Sequence, residues 1–194
     1  MSRDDNGGNV KAKLIATTLL AAPLMVGFMT STRIPLEPTS TVWVEGTSTV
    51  KSFKCTAKKL DAQVVADPAA SVAQMVEGAN VVIPVEQLDC GNGTMNEHMR
   101  KALQADKAPT IEFALASYDL SGGNATLKGT LKIAGTTKPI EIPATVTEAG
   151  KEIRLKASKV INMKDWGVKP PSLMMGTMKV KENVTVGFDV ALKH

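Results

Sequence analysis

Ala125–Ile133 reads ATLKGTLKI, and Ile140–Val146 reads IEIPATV. In the first run Ala125, Leu127, Gly129, Leu131 and Ile133 alternate with Thr126, Lys128, Thr130 and Lys132. In the second, Ile140, Ile142, Ala144 and Val146 alternate with Glu141, Pro143 and Thr145. A period of two is the period of a β-strand, so each run carries one apolar face and one wet face. That pattern belongs to an antiparallel sheet packed on one side only.

The same reading extends in both directions. Downstream, Ile153, Leu155 and Ala157 form one face of a strand, and Val184, Val186, Phe188, Val190 and Leu192 form one face of another. Upstream, Ile111, Phe113 and Leu115 oppose Thr110, Glu112 and Ala114. Thr41–Cys55 (TVWVEGTSTVKSFKC) has strand composition with a bend or bulge at Gly46, which predicts one long bent strand or two. Lys59–Ala66 is a weaker strand, and Asn80–Val85 places Pro84 at an edge or an irregularity. With SGGN and EAGK as turns, about eight strands result.

The one convincing helix outside the N-terminus lies in Leu88–Leu103, LDCGNGTMNEHMRKAL. Thr94 and Glu97 have the spacing of a capping box, which predicts a start near Met95. Met95, Met99, Ala102 and Leu103 then share an apolar face. A layer of eight strands must hide its apolar side by pairing two sheets or by closing on itself. One short helix cannot cover a flat sheet of that size. The economical solution is all-β: an eight-stranded antiparallel barrel with the helix packed at one end. A barrel of eight strands can hold one small ligand.

The chain has 194 residues and a formal charge of +4. Its lysines alternate with apolar residues along strands and do not cluster with aromatics, so they read as a solvated outer face and not as a nucleic-acid footprint. Lys11 and Lys13 precede the apolar run Leu14–Met29. That predicts a signal peptide or an uncleaved N-terminal anchor over residues 1–31, a linker over 32–40, and one domain over 41–194. Export makes the compartment periplasmic or extracellular, and an uncleaved leader would tether the chain to the membrane. A homodimer is left open. Cys55 and Cys90 are the two cysteines. In an exported chain they are expected to pair, closing a loop worth roughly 4 kcal/mol in the chain-entropy model. The alternative is two buried free thiols.

Catalytic chemistry has little to stand on. The two histidines are His98, beside the helix stripe, and the terminal His194, and no serine–histidine–acid set is evident. Cysteines, histidines and dispersed aspartates lack metal-site spacing, so no metal and no catalytic residue is expected. Small inward residues such as Ala125, Gly129, Ala144 and Ala157 either leave space in the interior or pack closely. Asn162–Val180 crowds Met163, Trp166, Val168, Leu173, Met174, Met175 and Met178 into one irregular segment, which suits a pocket rim or core.

EGTSTVKSF (Glu45–Phe53), TMNEHMRKAL (Thr94–Leu103), PTIEF (Pro109–Phe113), LKGTLKIAGTTKPIEI (Leu127–Ile142) and MKDWGVKPP (Met163–Pro171), in that order, resemble the YceI-like family. The resemblance runs from about Thr41 to the C-terminus. It implies an exported lipocalin-like barrel that holds an isoprenoid chain, such as a polyprenyl or quinone tail, with no cofactor besides that lipid and the membrane otherwise a partner only as its source. Within the matching motifs it implies Phe53, Ile111, Phe113, Leu131, Ile133, Met163 and Trp166 as ligand-binding residues. Phe188 and Met175 are added from the strand alternation and the methionine cluster. The competing reading is a non-catalytic structural or stress-response module whose barrel is filled by its own side chains and acts through its surface.

Overall fold

The structure is a computed structural model that describes residues 31–67, 70–173 and 177–193. The leader therefore lies outside the described residues, as does Met175. Along the chain run β1 (Thr32–Ile34), β2 (Thr41–Ser48), β3 (Ser52–Ala57), β4 (Asp61–Ala66), α1 (Val72–Met75), β5 (Val76–Pro84), β6 (Leu88–Asp89), α2 (Gly93–Ala102), β7 (Thr110–Ser121), β8 (Asn124–Ile133), β9 (Thr136–Ala149), β10 (Glu152–Asn162), β11 (Ser172–Leu173) and β12 (Met178–Lys193). Single 3-10 turns occupy Val85–Gln87 and Met163–Trp166.

All strand pairs are antiparallel, in the order β1-β4-β5-β7-β8-β9-β10-β12-β2-β3-β6, with β11 added to β12. The ordered sheet thus has eleven strands among the described residues, where the sequence suggested about eight. The increase has two sources. Thr41–Cys55 turns back at Ser48–Lys51, where the Ser48 hydroxyl donates to the Lys51 carbonyl and accepts from the Lys51 N–H, so it yields two strands. Short β1 and β6 then pair at the two flanks. Within the stretch expected as a linker, β1 pairs with β4 and Leu36 bridges Leu192 of β12, with the Glu37 N–H donating to the Ala191 carbonyl at 2.8 Å. The segment from β1 to Leu36 therefore ties one flank of the sheet to β12, the eighth strand in its order, and the sheet curls around its apolar face.

The alternation of the sequence becomes the inside and outside of that curl. Ala125, Leu127, Leu131 and Ile133 of β8 and Ile140, Ile142 and Ala144 of β9 are buried, while their polar neighbours face outward. Outside, Lys132 meets Glu112, Lys128 meets Asp119, and Arg154 and Lys156 both meet Asp189. The Lys128–Asp119 pair is exposed and adds little stability, while Asp189, between Arg154 and Lys156, is largely covered.

Two glycines are explained by close approach. A Cβ on Gly46 would lie 2.4 Å from the Phe53 ring, so this residue seats a ring, and the register of β12 shifts between Val180 and Val184, opposite Ser48 and Gly46. A Cβ on Gly129 would lie 2.3 Å from the Ala114 carbonyl oxygen, so β7 and β8 meet closely there.

Helix α2 starts earlier than the capping box suggested. Asn92 is the N-cap, with an extended backbone and a side chain that accepts from the Met95 N–H at 3.2 Å. Asparagine at this position satisfies a donor that the first turn leaves unpaired, so Thr94 lies inside the helix, exposed. The next asparagine, Asn96, accepts from the Cys90 N–H at 2.7 Å and donates to Asp89 at 2.9 Å, fastening the helix to β6.

Candidate functional site

The curled sheet encloses an elongated cavity of about 300 Å³. Its walls come from the inward faces of almost every long strand. β7 supplies Ile111, Phe113 and Leu115, and then Tyr118 and Leu120. The inward phase slips by one residue because β7 carries a bulge: Leu115 pairs with Gly129 but Ser117 pairs with Lys128, leaving Ala116 extra. A bulge re-aims the side chains beyond it. From Ile111 to Leu120 a strand advances about 30 Å at ~3.3 Å per residue, so the lined surface runs the length of the curl.

β8, β9 and β10 add Leu127, Leu131, Ile133, Ile142, Val146, Leu155 and Ile161, and β12 adds Val184, Val186, Phe188, Val190 and Leu192. One end is lined by Met99, Ala102 and Leu103 of α2 together with Met163, Trp166 and Val168. The other is lined by Val72 and Met75 of α1, with Leu36 and Val64.

Among these side chains the hydrogen-bonding groups are few and already occupied. The buried Trp166 Nε1 donates to the Leu131 carbonyl at 2.9 Å. The Tyr118 hydroxyl donates to the Val72 carbonyl at 3.0 Å and accepts from the Val76 N–H at 3.2 Å. No buried side-chain nitrogen or oxygen among the described residues lacks a partner. The cavity therefore presents nothing for a polar ligand to bond, and each polar group forced into it would lose its water without replacement. Hydrocarbon loses nothing there.

Seven of the nine residues named from the sequence line this cavity: Ile111, Phe113, Leu131, Ile133, Met163, Trp166 and Phe188. Phe53 does not. It is inward-facing, but its ring lies over Gly46 and borders a shallow outer groove with Glu45, Lys54 and Lys181. Met175 lies outside the described residues. Ala125, Ala144 and Ala157 belong to the packed core, Gly129 is buried against the β7 backbone, and none of the four lines the cavity. Tyr118 and Leu120 were missed in the sequence because their alternation is out of phase with that of Ile111–Leu115.

Cys55 and Cys90 are joined in a disulfide that links β3 to the segment leading into α2. Just before it, Asp89 accepts from the Asn96 amide and from the Gly91 N–H and pairs with Lys58 at 2.9 Å. These bonds, led by that from Asn96, hold its carboxyl at a pKa of about 2. Among the described residues no three metal-binding side chains gather, and no helix is long and apolar enough to cross a membrane.

The YceI-like domain model matches residues 36–192. The chain belongs to the YceI-like domain family. A UPF0312 protein of Pseudomonas paraeruginosa is 27% identical over 97 residues, covering 46% of this chain and 51% of the relative. A UPF0312 protein of Enterobacter sp. (strain 638) is 29% identical over 97 residues, covering 46% and 50%. The match thus spans about half the length of these curated relatives. Among solved structures, Burkholderia cenocepacia BcnA superposes with a TM-score of 0.67 at 23% identity, over 78% of this chain and 95% of that one. A polyisoprenoid binding domain from Saccharophagus degradans implicated in plant cell wall breakdown superposes with a TM-score of 0.60 at 14% identity, over 83% and 97%. At these identities the likeness is one of fold.

Proposed function

We propose that this YceI-like chain is a non-catalytic, exported lipid-binding protein that holds an isoprenoid chain, a polyprenyl or quinone tail, in its cavity for storage or transport. The observation that carries this reading is the cavity wall, apolar along its length, with the Trp166 and Tyr118 polar groups satisfied within the protein. An isoprenoid tail has no polar atom to leave unsatisfied, and each buried methylene contributes ~0.8 kcal/mol. Ile111, Phe113, Leu131, Ile133, Met163, Trp166 and Phe188 would contact it, and no other cofactor is required. A disulfide is at home in an oxidising compartment, which agrees with export.

Phe113→Asp places a carboxylate in this wall and is expected to abolish co-purification of lipid, measured by organic extraction per mole of protein. A folded Phe113→Asp protein that retains the wild-type lipid stoichiometry would contradict the assignment of the site.

A further inference from the structure

We propose that α2 is a lid over one end of the cavity and that the Cys55–Cys90 disulfide is its latch, so that a dithiol reductant controls loading and release. This rests on the reading of the cavity as a lipid site and adds its regulation.

Three observations converge on α2. First, it covers cavity without being part of the sheet: Met99, Ala102 and Leu103 line the space, yet no residue of α2 is fully buried. Second, it is flanked by two left-handed residues, Gly91 with φ 74° and Gln104 with φ 55°. Both lie outside the strand ladders; Gly91 is bridged by the Asn96 bonds to Asp89 and Cys90, so Asp89 to α2 moves as one unit, and the chain can pivot at Gln104. Third, the covalent and polar fastening is concentrated at one end, while Ala102 and Leu103 pack against the core at the other. The disulfide joins Cys90 to Cys55 of β3, and the remaining ties are hydrogen bonds among Asp89, Gly91, Asn96 and the Cys90 N–H, with the Lys58 pair. β6 itself contributes two residues of pairing. The covalent bond is the one tie here that thermal motion cannot open.

The latch chemistry follows from exposure. Cys55 is 1% exposed, while Cys90 is only partly buried. A thiolate of the dithiol attacks the accessible Cys90 sulfur, and Cys55 leaves as a thiolate that takes up a proton. The second thiolate of the reductant then attacks its own sulfur in the mixed disulfide, and Cys90 leaves and is protonated. The protein gains two electrons and two protons, and the dithiol becomes a disulfide. Cleavage of the bond leaves the two-residue pairing of β6 and the Lys58 pair as the polar hold on the unit from Asp89 to α2, which then swings on Gln104 while the longer strands keep their ladders.

The test uses all-trans-retinol, a fluorescent isoprenoid, loaded into the full chain and transferred to phosphatidylcholine vesicles, with and without dithiothreitol. Uptake by the reduced protein, reoxidised after loading, checks the cavity reading itself, and its absence would overturn both readings. With uptake established, reduction that frees both thiols is expected to accelerate release about tenfold. The Cys55→Ala/Cys90→Ala variant should release at the fast rate with or without reductant. Amide hydrogen exchange provides a second readout on the unsubstituted protein: exchange should accelerate across 93–102 while β8–β10 stay protected. An unchanged release rate in reduced protein, or an equal loss of protection in β8–β10, would overturn the latch.

Discussion

The β8–β10 strands and helix α2 line the same cavity and are held in place by different means. In β8 every inward residue is buried, the ladder to β9 is unbroken from Asn124 to Ile133, and the side chains lock against one another. In α2 no residue is fully buried, and the helix is kept by an asparagine cap, a small polar cluster, one disulfide and the partial packing of Ala102 and Leu103 on the core. Packing of the first kind is cooperative and gives way only with the whole sheet. Fastening of the second kind can be undone locally, bond by bond. The wall of the cavity is permanent, and its end is removable.

The largest expected effect lies on the wall. Gly129→Leu drives a side chain into the Ala114 carbonyl, which a Cβ alone would approach to 2.3 Å. It should cost about 3 kcal/mol, read by chemical denaturation, because a closely packed sheet absorbs extra atoms poorly. A variant as stable as the parent would mean that the interior has slack, and the contrast with α2 would weaken.

A smaller effect is expected at the lid. Asn92→Ala removes the cap and should lower stability by about 1 kcal/mol, whereas Thr94→Ala should change it by less than about 0.5 kcal/mol. Equal losses from both would restore the capping box that the sequence suggested. The smallest effect concerns pH. The Asp89 carboxyl titrates at about 2 in the folded chain, below its ordinary value of 3.8, chiefly through its bond from Asn96. Because the folded state binds the proton less readily, this group stabilises the fold above pH ~4, and the contribution fades as pH falls through about 2. Asp89→Asn should flatten that part of the pH–stability profile, and a profile of unchanged slope would show that the carboxylate contributes nothing to the lid's fastening.

The difference between the two regions also decides what could be read in advance. Period-two alternation reports burial on a regular sheet directly, so Leu131, Ile133, Phe113 and Phe188 could be placed on the inner face from the residues alone. The helix stripe of Met99, Ala102 and Leu103 was legible for the same reason. Irregularities were not. The bulge at Ala116 shifts the inward set to Tyr118 and Leu120, and nothing in ALASYDLS distinguishes an extra residue from the end of a strand. Phe53 was placed on the correct face, yet its ring turns onto Gly46, a contact made by the partner strand and invisible in local pattern. The cap failed through competition: Asn92 and Thr94 both offer a side-chain oxygen, and the tie from Asn96 to Asp89 and Cys90 fixes the start nearer Asn92. The strand count rose because two- and three-residue strands exist only through their partners.

The central claim is that the cavity carries an isoprenoid, and native mass spectrometry of protein exported and purified without detergent tests it most directly. The account predicts a stoichiometric adduct that organic extraction identifies as an isoprenoid lipid. A clean apo mass, in protein that also fails to take up added polyprenyl lipid, would contradict it and favour a filled module acting through its surface.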